Sequence, residues 1–143
     1  MVIPYKAIDV AKTVPTVNAE STVREVALMI LNQGVDLVVV VKDDRVVGTV
    51  SPRDILWGLI YGRVSLDDRI ENVVNRRFIQ VSPEESIDSI LEIMRRGERS
   101  EVLVFEDNKP VGVVAASSFV NIVEDIIESL EAKSIRSYGK KPL

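Results

Sequence analysis

The residues best suited to chemistry in this chain lie together in the segment Ser51-Pro52-Arg53-Asp54. A serine followed three residues later by an acid, with a proline between them, is typical of the first turn of a helix. Free backbone N–H groups and the helix dipole favour an anion there, and a serine hydroxyl can meet a phosphate oxygen. An ionised carboxylate can accept hydrogen bonds from both vicinal hydroxyls of a ribose. The segment therefore suits a nucleotide, although helix capping alone uses the same two residues.

The composition excludes most familiar catalytic chemistry. The 143 residues include no Cys and no His, which removes disulfides, thiolate nucleophiles, sulfur-ligated metals, the usual general base and the usual zinc ligand. The acids fall on predicted turns and helix faces, where solvation is the default. We therefore expect no enzymatic activity, no catalytic residue and no metal site.

Charge and hydropathy limit the classes of binding partner and the cellular compartment that we expect for this chain. A formal net charge of −4 supplies no basic field for a polyphosphate backbone. Nucleic acid is not expected as the main partner. Any such binding would depend on the basic residues Arg76-Arg77, Arg95-Arg96 and the C-terminal tail. No apolar run approaches the roughly 20 residues that cross a bilayer, and the N-terminus has no signal-peptide pattern. These features predict a cytoplasmic protein without a membrane partner.

The elements that must position Ser51 and Asp54 occur twice. When Gly48 is laid on Gly112, an offset of 64 residues, similar residues recur along the chain. A unit of this size is marginally stable alone, so two units packed into one body are expected. The matched pairs include Val17 with Val81, Glu20 with Glu84, Val38 with Val102, Val40 with Val104, Asp43 with Asp107, Val47 with Val111 and Val50 with Val114.

Each unit is predicted to contain a strand, a helix, two strands and a second helix. In the first unit, Thr22-x-x-Glu25 is a capping box that opens an amphipathic helix over residues 23–33, which Gly34 ends. Strands at 37–41 and 46–50 flank a polar turn, and the helix after Ser51 runs to about Tyr61. The second unit repeats these elements at 78–81, 86–96, 102–105, 111–115 and 118–131.

The sequence thus predicts an α+β fold of two βαββα repeats, packed through their sheets with pseudo-two-fold symmetry. The first repeat is assigned to residues 1–66, the second to 67–131, and a basic C-terminal tail to 132–143. The last helix of each repeat carries an apolar stripe wider than one packing partner needs, which predicts a homodimer. These stripes comprise Ile55, Leu56, Leu59, Ile60, Ile122, Val123, Ile126 and Ile127.

The stretch Gly48-Thr49-Val50-Ser51-Pro52-Arg53-Asp54 resembles the motif of CBS domains, which is Gly, two hydrophobic-type positions, Ser or Thr, two variable residues and Asp. With the repeat, almost the whole chain resembles a stand-alone tandem CBS pair, a regulatory module that binds adenine nucleotides. The resemblance assigns the ribose to Asp54 and a phosphate to Ser51, and places adenine against the second repeat. The implied nucleotide-binding residues are Thr49, Ser51, Arg53, Asp54, Phe78, Ile79, Gln80, Arg99 and Ser100.

The second repeat departs from this motif at both polar anchors. At the offset of 64, Ala115 replaces Ser51 and Ser118 replaces Asp54, while Ser118 keeps a predicted helix-capping role. A second site is therefore expected to be empty or weak. It is expected to face Val14, Thr16, Asp36 and Leu37, and the Asp36 carboxylate would repel a phosphate.

The function implied by the resemblance is a non-catalytic sensor that needs no cofactor. It would bind one AMP, ADP or ATP per chain and act on an effector protein that the sequence does not identify. S-adenosylmethionine and dinucleotides stay open as ligands. The alternative is a ligand-free CBS dimer with a structural or interaction role, because the fold does not require the polar anchors.

Overall fold

The structure is a computed structural model that describes residues 3–97, 101–120, 122–124, 127–128 and 131. Residues 120, 122–124, 127–128 and 131 are helical; the rest of the predicted last helix and the predicted tail lie outside the described residues. The elements are α1 (Ala7–Val10), β1 (Thr16–Asn18), α2 (Val23–Gln33), β2 (Val38–Lys42), β3 (Arg45–Val50), α3 (Pro52–Ile60), β4 (Gln80–Val81), α4 (Ile87–Arg96), β5 (Glu101–Glu106) and β6 (Lys109–Ala115), with 3-10 turns at Ile70–Val73 and Ala116–Phe119.

The described residues form two three-stranded sheets of identical topology. In the first, β1 pairs in parallel with β2, and β2 pairs antiparallel with β3; β4, β5 and β6 repeat this order. Val17 lies opposite Val40, and Val81 lies opposite Val104, so the register keeps the offset of 64 residues. The predicted α+β fold of two repeats is confirmed.

The two sheets face each other across a shared apolar layer. Val39, Leu103 and Val113 are buried in this layer, and Phe78 and Phe105 pack beside them with ring centroids 6.3 Å apart. Each sheet also packs its helices over a core of its own. The repeats therefore pack through their sheets, as predicted.

Each core is completed by residues that precede the first strand of the other sheet. Ile3, Ala7 and Val10, near the N-terminus, are buried in the core of the second repeat. Val64 and Ile70, which precede β4, are buried in the core of the first. The boundary at residues 66 and 67 stays a prediction for the sequence units, whereas the cores exchange these flanking segments.

Two element predictions need correction. The first strand of the second repeat, predicted at 78–81, is limited to Gln80–Val81, and Phe78 before it packs in the layer between the sheets. Ser118 keeps its predicted capping role, but the helical segment begins at Ala116, before the predicted start at residue 118. It is the third residue of the turn Ala116–Phe119, and its Oγ accepts the Ala115 backbone N–H at 2.9 Å. Among the described residues, no helix is both long and apolar enough for a membrane span.

Candidate functional site

Ser51 and Asp54 form a complete capping box at the start of α3. Asp54 Oδ2 accepts the Ser51 backbone N–H at 2.8 Å and the Ser51 hydroxyl at 3.0 Å, while Ser51 Oγ accepts the Asp54 backbone N–H at 3.2 Å. Both residues are half-buried. Asp54 Oδ1 accepts no hydrogen bond from the described residues, so the carboxylate is fixed in place with one oxygen left for a ligand.

A close backbone contact explains the glycine of the motif. Thr49 and Asn75 exchange two backbone hydrogen bonds, of 2.9 and 2.8 Å, which hold the linker between α3 and β4 (residues 61–79) against β3. A Cβ at Gly48 would collide with the Asn75 carbonyl oxygen. Glycine is therefore required for this approach. Thr49, a predicted site residue, is only 4% exposed beside the same contact.

The other predicted site residues lie in different settings. The Ile79 carbonyl is engaged in the second sheet, where it accepts the Leu103 N–H at 2.8 Å, and its side chain packs against the core of the second repeat. Phe78 is half-buried between the sheets. Gln80 and Arg53 are exposed, on β4 and in the first turn of α3 respectively. Arg99 and Ser100 lie outside the described residues.

A cavity of about 290 Å³ lies at the corresponding place in the second repeat, and Ser51 of the first repeat also lines it. It brings Asp36 and Leu37 toward Ala115 and Ser118, as predicted. The prediction of Val14 and Thr16 as its facing residues is wrong: Val14 packs between the sheets and Thr16 lies on β1. The residues that face the cavity from the N-terminal segment are Lys12, Thr13 and Pro15.

Lys12 gives this second cavity a positive charge that the sequence did not predict. Its Nζ lies 3.5 Å from Ser117 Oγ, and its backbone pairs with Val113 through two hydrogen bonds of 2.9 Å. This pairing holds the exposed residue Lys12 at the cavity wall. The cavity wall therefore combines one cation with the carboxylates of Asp36 and Glu101 and with several hydroxyls.

Sequence reasoning also missed Arg76 and Arg77 as candidate site residues. They follow Asn75, which pairs with β3. In the same way, Thr13 follows Lys12, which pairs with β6, and Thr13 lines the second cavity. The Arg77 backbone N–H donates to Asn75 Oδ1 at 3.0 Å, which orders this turn. Both arginines are exposed. The repeat could have indicated them, since an offset of 64 sets Lys12 and Thr13 against Arg76 and Arg77, although in the strand pairing Lys12 takes the place of Asn75.

The resolved pKa shifts belong to exposed ion pairs on the second repeat and its N-terminal segment. Hydrogen bonds from Arg95 and Arg96 lower the pKa of the Glu92 carboxyl. The bond between Arg95 and Glu92 also raises the pKa of the Arg95 guanidinium. The Glu84 carboxylate raises the pKa of Lys6 through a hydrogen bond and its charge. These groups bear on stability as a function of pH, not on the candidate site.

Comparison with known proteins identifies the family. The family model for the CBS domain matches residues 7–61 and 70–133, so the chain belongs to the CBS domain family. An uncharacterized protein of Methanocaldococcus jannaschii is 25% identical over 119 residues, which are 80% of this chain and 64% of the relative. The chain spans between 37% and 64% of the length of three curated relatives that it matches.

Solved structures agree with this assignment. A CBS domain protein from Pyrobaculum aerophilum, solved in complex with AMP, is 26% identical, with a TM-score of 0.72 over 86% of this chain and 96% of that one. An uncharacterized conserved protein from Pyrococcus horikoshii is 22% identical, with a TM-score of 0.75 over 85% of this chain and 93% of that one. The second likeness supports the fold alone. The identification of a tandem CBS pair is confirmed.

Proposed function

We propose that this chain is a non-catalytic regulatory module that binds an adenine nucleotide, AMP or its di- or triphosphate, at Ser51 and Asp54. The fixed carboxylate carries the proposal: Oδ2 of Asp54 is held by Ser51, and Oδ1 has no donor among the described residues. An acceptor held in place can receive ribose hydroxyls without first being ordered. The AMP bound to the Pyrobaculum aerophilum relative supports the same ligand class.

The arginines around this site support an anionic ligand. Arg53, Arg76 and Arg77 make no ion pair with any described residue. Among the other described arginines, Arg24, Arg69, Arg95 and Arg96 pair with carboxylates, whereas Arg45 and Arg63 make no ion pair with a described residue. A phosphate at the start of α3 would give the unpaired guanidinium groups a partner. We assign the remaining wall of the site to Thr49, Phe78, Ile79, Gln80, Arg99 and Ser100.

A pair of matched serine variants tests the proposal by calorimetry with AMP, ADP and ATP. Ser86 caps α4 as Ser51 caps α3, with its Oγ accepting the Ser89 N–H at 3.1 Å. Each Ser→Ala change should lower stability by about 1 kcal/mol. Only Ser51→Ala should also weaken nucleotide binding, by about 5- to 10-fold for one lost hydrogen bond. Wild-type protein that binds none of the three nucleotides would refute the proposal.

A ligand-free structural or interaction module is the second candidate. The observation that favours it is the closed set of bonds between Ser51 and Asp54, which satisfies the helix start without a ligand. On this hypothesis the two serine variants, Ser51→Ala and Ser86→Ala, change stability alone. The same titration therefore separates the two functions.

We propose that one nucleotide binds per chain. In the second repeat, Ala115 offers no hydroxyl, and Ser118 is 2% exposed with its Oγ engaged by the Ala115 N–H. The double change Ala115→Ser and Ser118→Asp should add a second, weaker site, because Asp36 stays in the cavity wall. Titration should then move from one nucleotide per chain to two. Two strong sites in the wild type, or no added site in the variant, would contradict this assignment.

We also propose a homodimer, cytoplasmic location and an effector protein that responds to the bound nucleotide. The dimer surface must be narrower than the predicted stripes, because Ile55, Leu59 and Ile122 pack into the two cores. Leu56 and Ile60 are 57% and 68% exposed and stay available for a second copy. Val123 and Ile127 are exposed as well, and Ile126 lies outside the described residues.

A further inference from the structure

A groove runs along α3, between this helix and the linker. Asp54, Trp57 and Tyr61 follow one another at spacings of three and four residues, so they share one face of the helix. They line a cavity of about 530 Å³, a volume typical of sites for small ligands. The other lining residues are Gly58, Arg63, Asn72, Val73 and Val74.

Gly58 sets the floor of this groove by letting the linker approach the helix. A Cβ at this position would lie 2.8 Å from Val73 Cγ1 and 2.9 Å from Val64 Cγ2. Both valines pack with the core of the first repeat. The floor is therefore apolar and tied to the core.

Two aromatic side chains form a flat platform in the groove. The rings of Trp57 and Tyr61 are stacked, with centroids 4.8 Å apart and an angle of 9° between their planes. Nevertheless, Trp57 is 48% exposed and Tyr61 60% exposed. A parallel pair presents an open π face on which a third ring can stack.

The two ends of the groove carry opposite charges. Asp54 lies at the start of α3, and Arg63 lies beyond its last turn, where the Arg63 backbone N–H is anchored to the Gly58 carbonyl at 2.9 Å. The exposed Arg63 side chain makes no ion pair with a described residue. One end therefore favours an anion, and the other favours a hydrogen-bond donor.

We infer that this groove binds a planar aromatic ligand that carries an anionic group. The ring stacks on Trp57 and Tyr61, the anion pairs with Arg63, and a hydroxyl or amino group of the ligand faces Asp54. A nucleoside monophosphate has these three parts and is the probe of choice. The groove includes Asp54 but not Ser51. Because both this site and the site of the proposed function use the Asp54 carboxylate, a nucleotide occupies one of them at a time, and the count of one nucleotide per chain is kept.

The fluorescence of Trp57, the single tryptophan of the chain, reports on this groove. We expect AMP to quench it, adenosine to quench with lower affinity, and inorganic phosphate alone to leave it unchanged. Tyr61→Leu should lower the affinity for AMP, measured by quenching, by about 5- to 150-fold, the range typical for loss of one stacking partner. Arg63→Gln should weaken AMP about 10-fold and leave adenosine unaffected.

Two control variants and one separating variant complete the test. Arg45→Gln removes an exposed arginine in the β2–β3 hairpin, and Leu28→Ala removes an exposed apolar side chain on α2; neither should change the quenching. Ser51→Ala should weaken calorimetric binding at the proposed nucleotide site and leave the Tyr61-dependent and Arg63-dependent quenching intact.

Three outcomes would overturn the inference. Calorimetric binding of AMP without quenching would leave the proposed function standing and refute the groove. Quenching that is unchanged by Tyr61→Leu and Arg63→Gln would place its source elsewhere. Quenching that follows protein concentration without ligand, with a dimer mass in light scattering, would show that a second copy covers the platform.

Discussion

The substitution Asp54→Asn should separate ligand binding from helix capping. Asn keeps the shape of the side chain and one acceptor oxygen for the Ser51 N–H, now 2.8 Å from Oδ2, but it loses the charge and the second acceptor. The ribose then loses one or two hydrogen bonds to a charged acceptor, each worth about 1.5–3 kcal/mol. Because the carboxylate is half-buried, we expect a loss of about 2–4 kcal/mol, or about 30- to 1000-fold in AMP affinity.

The same change should affect folding much less. The Asn oxygen can still accept both hydrogen bonds from Ser51, but these bonds are no longer strengthened by a charge, which costs about 1 kcal/mol or less. Asp68 provides the matched control, because its Oδ2 accepts the Ser65 backbone N–H at 2.7 Å over the same spacing of three residues. Asp68→Asn should lower stability by a similar amount and leave AMP affinity unchanged.

Titration calorimetry gives the affinity of each variant, and urea unfolding gives its stability. Equal AMP affinity in wild type and Asp54→Asn would refute the ribose role of Asp54. An equal loss of affinity in Asp68→Asn would trace the effect to folding instead of to the ligand.

Three further predictions address stability and assembly. Gly48→Ala should cost about 3 kcal/mol in urea unfolding, because the new Cβ meets the Asn75 carbonyl oxygen; a cost near zero would show that the linker moves freely. The lowered pKa of Glu92 stabilises the fold above the ordinary pKa of about 4.3, and this contribution is lost as pH falls through the lowered value. Wild type and Glu92→Gln should therefore differ at pH 7 and converge in acid, and a gap that persists in acid would contradict the sign. Leu56→Glu combined with Ile60→Glu should shift the mass in light scattering from dimer to monomer, and an unchanged dimer would place the interface elsewhere.

The sequence determined the elements whose signals act over a few residues. The caps at Thr22 and Ser51 begin α2 and α3 where predicted, because a side-chain acceptor meets a backbone donor three residues away. Asp43 and Asp44 both adopt positive φ and close the β2–β3 hairpin at the predicted polar turn. The repeat, the CBS family and the juxtaposition of Ser51 with Asp54 were accessible in the same way.

The tertiary structure decided which distant segments meet. Ile3, in a segment for which the sequence predicted no element, is buried in the second repeat, and its N–H donates to Asp88 Oδ2 across 85 positions of sequence at 3.1 Å. Lys12 reaches the second cavity by similar long-range packing, through its backbone pairing with Val113. Such contacts form when the free energy gained by burying apolar surface of the whole chain exceeds the entropy lost on closing the loops between the segments. The local periodicity of the sequence contains no information about this difference.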